Sequence, residues 1–345
     1  MNKFNIKYRE EPLVVAELSG NHNQSLSKAL ELVDLASEAG VDAVKLQTYT
    51  PDTMTLDLKE NEFKINNPEN LWSGYSLYEL YHKSFTPWEW HEPIFKRCEQ
   101  LGMYAFSSPF DNSSVEFLES LDVPCYKIAS FENIDIPLIK KVAQTGKPLI
   151  ISSGMATVAE LWEAVEVASK NGCEDITILK CTTSYPARAE DSNIRTIPHM
   201  KDLFQNCNIG LSDHTLGIGV AVASVALGAK VIEKHLKLPG DREGVDSAFS
   251  LDPIEMRDLV TEVKRAWSSL GTISYGATIK EEQAKKRRRS LYISRDVVEG
   301  EEITEDNVKS IRPGLGLPPK YKSVVMGRTF KSDYKKGTPL SWDLI

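Results

Sequence analysis

The sequence predicts a closed parallel (β/α)8 barrel followed by a small, turn-rich second unit. Three observations carry this. Short, nearly continuous apolar runs alternate with amphipathic helical patterns eight times in succession, no Gly-x-Gly-x-x-Gly turn follows the first run, and the rhythm stops at Gly271. Near-continuous apolar runs belong to parallel strands buried on both faces, and eight such units in a row favour closure over an open doubly wound sheet. Without the glycine-rich turn, a dinucleotide-binding crevice lacks its phosphate cradle.

The strands are read, in order, as LVVAEL ending at Leu18, AVKLQT ending at Thr48, YAFSSP ending at Pro109, CYKIAS ending at Ser130, LIISSG ending at Gly154, ITILKC ending at Cys181, NIGLSD ending at Asp213 and KVIEKH ending at His235. The first helix, SKALELVDLASEAG, has Ser25 or Ser27 as its cap and Gly40 as its stop. The later helices are PWEWHEPIFKRCEQLG, SSVEFLESL, IPLIKKVAQTG, VAELWEAVEVASKNG, IPHMKDLF, IGVAVASVALG and, after the last strand, PIEMRDLVTEVKRAWSSLG. Residues 1–270 form the barrel domain in this reading, 271–289 a linker with a solvated basic run, and 290–345 the second unit.

At 345 residues, 41% hydrophobic and 26% charged, the chain is long enough for a large core and an appendage. A net charge of −8 argues against nucleic acid or an anionic membrane as partner, since both reward clustered Lys and Arg. The first residues hold no signal-like apolar core and no later run approaches ~20 apolar residues, so a cytoplasmic protein is expected. Cys98, Cys125, Cys173, Cys181 and Cys207 show no CxxC spacing and read as reduced packing residues.

In a barrel of this kind the chemistry gathers at the C-terminal strand ends. The polar residues there are Glu17, Lys45, Gln47, Ser107, Ser108, Lys127, Ser130, Ser152, Ser153, Lys180, Asp213, His214, Glu233 and His235. Lysines set in apolar strands carry a large desolvation cost unless an anion compensates, so lysines and hydroxyls converging on one rim describe a pocket for phosphate or carboxylate. A strand-end histidine is most often a hydrogen-bonding partner. Two of them, His214 and His235, closing neighbouring strands suggest a metal site with positions left open for water or substrate.

About 37 residues, Tyr49 to Phe85, separate the second strand from the next helix. Loops of this length are commonly functional, and Asn70, Trp72, Tyr75 and Tyr78 suit the covering of a polar ligand. Tyr185, before Pro186, belongs to a loop over the barrel mouth. In the C-terminal unit, Asp-x-x-x-Gly elements recur at Asp296–Gly300 and Asp333–Gly337, and Arg312 is the cation expected to serve an active site. About 55 residues have little surface to bury, so this unit is expected to dock on something larger.

The motifs AELSGNH, VKLQTYTPD, SSPFD, YKIASFE, ISSGMAT, CTTSYP, GLSDHT and IEKHL, followed by IRPGLGL, resemble the sialic acid synthase family over nearly the whole chain. QTYTPDTMTLD and LWSGYSLYELY resemble its pseudaminic branch. The resemblance implies a TIM barrel with an antifreeze-like (SAF) domain, a domain-swapped homodimer, and condensation of phosphoenolpyruvate with an acetamido sugar to a nine-carbon 2-keto acid and phosphate. It implies a divalent metal (Mn²⁺, Mg²⁺ or Co²⁺) on His214 and His235. Lys45, Lys127, Ser130, Ser152 and Ser108 match phosphoenolpyruvate positions. Gln47, Tyr185 and Asp246 match positions around the metal and the acceptor, with Phe110, Glu132 and Asp213 in the same substrate-binding set. Glu17 matches the acid/base candidate, and Arg312 an arginine supplied by the partner subunit.

Thr183 stands where sialic acid synthases carry Asn. This argues against N-acetylmannosamine and fits the pseudaminic acceptor, 2,4-diacetamido-2,4,6-trideoxy-L-altrose, whose methyl Trp72 would suit. N-Acetylneuraminate and legionaminate synthesis are the same chemistry on other acceptors. Outside the family, a Schiff-base aldolase would use Lys45, Lys127 or Lys180 as nucleophile, and a non-catalytic carbohydrate- or ice-binding protein would use the C-terminal unit as its surface.

Overall fold

The computed structural model describes residues 4–345 and contains two compact units, 1–271 and 272–345. In the first, eight parallel strands close into a barrel: β1 (Leu13–Glu17), β2 (Ala43–Thr48), β3 (Tyr104–Pro109), β4 (Tyr126–Ile128), β5 (Leu149–Ser152), β6 (Ile176–Cys181), β7 (Asn208–Asp213) and β8 (Val231–His235). Closure is made by β1, which pairs with β2 on one side and with β8 on the other, where Glu17 stands opposite His235. The expected strands are all present. β4 and β5 end two residues early because Ser130 enters a 3₁₀ turn and Gly154 a hydrogen-bonded turn.

Strand periodicity separates packing from chemistry. Val15, Ala43, Phe106, Cys125, Ile150, Leu179 and Val231 pack with Phe4 and Ile6 into one apolar cluster drawn from around the barrel, which is its interior filling. Two positions further along the same strands, on the same face, stand Glu17, Lys45, Ser108, Lys127, Ser152, Cys181 and Glu233. Residues of the other parity, such as Val14, Val44, Ile178, Leu211 and Ile232, belong to the cluster between barrel and helices. The barrel is thus filled with hydrocarbon below and with polar groups one layer above.

The helices follow from caps and stripes. α1 (Leu26–Ala39) starts because Ser25 accepts the Lys28 N–H, and stops because Gly40 takes φ 83°. It buries Ala29, Leu32, Val33, Ala36 and Ala39, a 3–4 spacing in which each large side chain contributes roughly 1.5–3 kcal/mol. The long segment after β2 corrects the reading of a structureless loop. It contains α2 (Pro51–Met54) and α3 (Leu77–Ser84), the latter opened by a capping box in which Ser76 and Glu79 satisfy each other's backbone N–H. α4 (His91–Gln100) through α10 (Pro253–Leu270) complete the ring: α5 (Asn112–Ser120), α6 (Ile136–Ala143), α7 (Val158–Lys170), α8 (Thr196–Leu203) and α9 (Gly219–Ala226) lie between.

The second unit has its own core of Leu291, Ile293, Val297, Ile303, Val308, Val325, Phe330 and Leu340 around an antiparallel pair, β9 (Ser290–Ile293) and β10 (Val308–Ile311). Its two Asp-x-x-x-Gly elements brace each other. Asp296 accepts the Lys336 N–H at 2.9 Å and Asp333 accepts the Glu299 N–H at 2.8 Å.

Candidate active site

A cavity of about 380 Å³ opens at the C-terminal end of the barrel, a size that suits a small polar metabolite. A larger one of about 940 Å³ opens at the opposite end, along the segments that precede β3 to β6, and gathers none of the strand-end residues. Lys45, Gln47, Phe110, Lys127, Ser130, Glu132, Ser152, Tyr185, His214, His235 and Asp246 all line the upper cavity.

Two expected residues stand in the same layer as the lining residues but do not line the cavity themselves. Glu17 reaches Lys45 Nζ at 2.5 Å, and Ser108 Oγ accepts from the same ammonium at 3.5 Å. Asp213 is turned away: strand alternation sends it outward to a buried pairing with Lys234, so it cannot touch a ligand in the cavity. The same parity removes Ser107, bonded to Thr48, Ser153, which accepts the Cys181 N–H, and Lys180, which donates to the Cys181 carbonyl and to Thr182. Lys180 is thereby excluded as a nucleophile in this pocket. Arg312 belongs to the second unit, where it is exposed before a cis proline.

The charged floor is organised around Lys45. Its ammonium sits 2.5 Å from Glu17 and 3.6 Å from Glu233, all three buried. Burial dominates Glu17 and holds its carboxyl above the usual range. At Glu233 burial pushes the same way, but Lys45, Lys127 and the hydrogen bond from Ser212 outweigh it and the group stays ionised. Two carboxyls on one lysine are thus shifted in opposite directions, the kind of arrangement that separates an acid from a base. Lys127 donates to Ser152 Oγ at 2.6 Å and to the Ile128 carbonyl at 3.0 Å, and its burial lowers its pKa. Glu132, at the cavity wall, is pushed by burial up to about 7.

The imidazoles of His214 and His235 stand with centroids 5.3 Å apart, both against Phe249. His214 Nδ1 donates to the Thr182 carbonyl at 2.9 Å, which orients the ring; burial pulls its pKa down, but Cys181 and this hydrogen bond outweigh burial and raise it. His235 is held neutral by burial and by the positive charges around it. Its buried Nδ1 has no hydrogen-bond partner and lies 3.6 Å from Asp246 Oδ2. Two imidazoles, one with an orphaned buried nitrogen, beside Asp246 are the donor types that suit a divalent cation. Among the described residues no group of three His, Cys, Asp or Glu is placed to hold a metal ion, so the protein nitrogens available to one here are those of His214 and His235.

The segment between β2 and β3 supplies the outer wall. Asn70 and Trp72 line the cavity, and the indole donates to the Val245 carbonyl at 2.8 Å and tilts against Tyr185 at 5.5 Å. Tyr75 and Tyr78 do not line it; their hydroxyls meet Lys83 and Asp52 on the exposed side. Tyr49, Tyr81, Met54, Ile65 and Leu77 line it instead. Four polar lining residues were missing from the expected set: Ser19, Ser84, Cys181 and Ser212. Cys181, read as packing, lies 3.9 Å from His214 Nδ1, and its thiol is held at about 7. The signal for Ser212 was available, since it shares its strand face with His214.

Comparison with known proteins places this geometry. The model of the NeuB family matches residues 32–275, and that of the SAF domain matches residues 288–345. The chain belongs to the NeuB family. The resemblance to sialic acid synthases is thereby borne out, as is the barrel followed by an SAF domain. The NeuB-family chain is 43% identical over 339 residues to the pseudaminic acid synthase of Helicobacter pylori, covering 97% of this chain and 98% of that one. It is 32% identical to the N,N'-diacetyllegionaminic acid synthase of Campylobacter jejuni, covering 95% and 98%. Among solved structures it resembles the spore coat polysaccharide biosynthesis protein spsE of Bacillus subtilis, with a TM-score of 0.66, 30% identity and coverage of 99% and 98%. None of its helices among the described residues is long and apolar enough to cross a membrane.

Proposed function

We propose that this NeuB-family enzyme is a pseudaminic acid synthase, condensing phosphoenolpyruvate with 2,4-diacetamido-2,4,6-trideoxy-L-altrose to give the nine-carbon 2-keto acid and phosphate. The observation that carries the chemistry is the lining of the cavity. Lys45, Lys127, Ser130 and Ser152 offer cations and hydroxyls, and the two imidazoles with Asp246 line the same cavity. The 43% identity to a pseudaminic acid synthase over almost the whole chain carries the acceptor.

In this reading the lysines and serines bind the phosphate and carboxylate of phosphoenolpyruvate, sharing the anion's charge in a site shielded from water. Gln47, Tyr185, Glu132, Phe110 and Asp246 position the acceptor sugar. His214, His235 and Asp246 hold a divalent cation, Mn²⁺, Mg²⁺ or Co²⁺, which when bound supplies Lewis acidity to the aldehyde of the open-chain sugar. C3 of phosphoenolpyruvate forms the new bond to the aldehyde carbon. A water adds at C2, with Glu233, the ionised carboxylate, accepting its proton. Glu17, whose carboxyl burial holds above the usual range, acts through Lys45, restoring the proton that the ammonium gives to the new alkoxide. Loss of phosphate from C2 then gives the keto acid.

Arg312, presented by the SAF domain of a second copy of this chain, completes the acceptor site, and the working enzyme is a homodimer in the cytoplasm. The experiment is phosphate release from phosphoenolpyruvate with Mn²⁺, comparing the 6-deoxy diacetamido altrose with N-acetylmannosamine and the legionaminate acceptor. Turnover with the altrose alone is expected. Turnover only with another sugar would keep the chemistry and overturn the acceptor.

A further inference from the structure

Behind the two imidazoles, on the strand face that does not see the cavity, lies a buried ion pair that no step above uses. β7 and β8 pair with Asp213 opposite Lys234. The Lys234 ammonium lies 2.7 Å from Asp213 Oδ2, with side-chain exposures of 0% and 2%. It also donates to the Thr215 carbonyl at 2.6 Å, while Asp213 Oδ1 accepts the Thr215 N–H at 2.9 Å. Both backbone groups of Thr215 are therefore clamped by the pair.

The consequence is positional. Asp213 and Thr215 flank His214, and Lys234 immediately precedes His235. One ion pair thus pins the chain on both sides of one imidazole and on one side of the other. The same strand face carries Leu211 and Ile232, which pack in the apolar layer. Apolar residues in place of a buried pair commonly give equal or greater stability, so stability alone does not explain a pair here.

We propose that the Asp213–Lys234 ion pair is a positioning device that sets His214 and His235 in the mutual arrangement a divalent cation requires. The proposal rests on the reading of those imidazoles as a metal site. Neither member touches a ligand; both act through the backbone that carries the histidines. Loss of a partner that orients metal ligands typically lowers metal affinity by about 10–100-fold.

The test is equilibrium Mn²⁺ binding to the chelator-treated full chain, read from the electron paramagnetic resonance signal of free Mn²⁺, with the melting temperature measured alongside. Asp213→Asn and Lys234→Met are each expected to weaken binding by about tenfold or more. Because each leaves a buried charge unpaired, the deciding protein is the double variant Asp213→Leu/Lys234→Met. It is expected to melt near the wild type and still to bind Mn²⁺ at least tenfold more weakly. A folded double variant with wild-type affinity overturns the proposal. So does one that melts far below the wild type, since the pair would then serve stability. His214→Ala separates the two levels of the argument: wild-type binding no tighter than that of His214→Ala removes the metal site itself. Binding lost in His214→Ala but retained in the double variant removes the positioning role alone.

Discussion

Lys45 Nζ stands 2.5 Å from the Glu17 carboxylate inside the barrel, with Glu233 3.6 Å away on its other side. Every strand contributing to this layer has hydrocarbon two residues below, so the three groups form a charged plate on an apolar plug. The plate's balance depends on all of them, because a buried charge left unpaired is costly.

Glu17→Gln removes the carboxyl whose pKa burial raises, without changing its shape. kcat is expected to fall by roughly 10²–10⁴, with the KM for phosphoenolpyruvate changed far less. Steady-state kinetics with both substrates checks this; a selective rise in KM would place Glu17 in binding.

Gly154 follows β5 where a Cβ would stand 2.0 Å from Thr183 Oγ1 and 2.5 Å from Ser130 Oγ. Gly154→Ala must displace Ser130, a lysine-side lining residue, and is expected to raise the KM for phosphoenolpyruvate at least tenfold while costing about 1–3 kcal/mol of stability. Titration of phosphoenolpyruvate binding together with a thermal melt reads both.

His22 and His91 are buried away from the cavity, and burial lowers each to about 4. His22 accepts the Gln24 N–H at Nδ1 and faces Thr86 through Nε2, so the fold selects the neutral ring. Both groups have folded pKa values below the ordinary 6.5, so their contribution is fully present above pH 6.5 and is lost as pH falls toward 4. Each is worth about 3 kcal/mol at most. The melting temperature should fall through that window, and more shallowly in His22→Gln; equal slopes would contradict the assignment.

Trp72 ties the segment after β2 to the chain beyond β8 through its indole hydrogen bond to Val245. Trp72→Phe keeps an aromatic wall and removes that tie, and the expected effect is a several-fold rise in acceptor KM with the phosphoenolpyruvate KM unchanged. Arg312→Ala is expected to act on the acceptor in the same selective way, with sedimentation showing an intact dimer.

The barrel was legible because parallel strands buried on both faces leave near-continuous apolar runs, and Gly40 and the serine caps mark where helices stop and start. The site was legible where a charged residue interrupts an apolar run, as at Lys45, Lys127 and Glu17. What the strand-end list could not do was separate the two faces. Asp213, Lys180 and Ser153 sit beside true lining residues in sequence and point the other way by the two-residue period, while Cys181 shares the face of Leu179 and looks like packing. α3 was missed because its apolar face is short, although Ser76 and Glu79 spell a capping box. Contact with the cavity is also invisible in sequence: Glu17 and Ser108 have the right parity but are turned onto the Lys45 ammonium and do not line it.

The most direct test of the account is a reaction of phosphoenolpyruvate carrying ¹⁸O in its bridging C2–O–P position with 2,4-diacetamido-2,4,6-trideoxy-L-altrose and Mn²⁺, both products being weighed by mass spectrometry. Attack of C3 on the aldehyde with water added at C2 predicts one nine-carbon keto acid per phosphate released, with the ¹⁸O in the phosphate. A keto acid that retains the label, or phosphate released without any nine-carbon product, would contradict it.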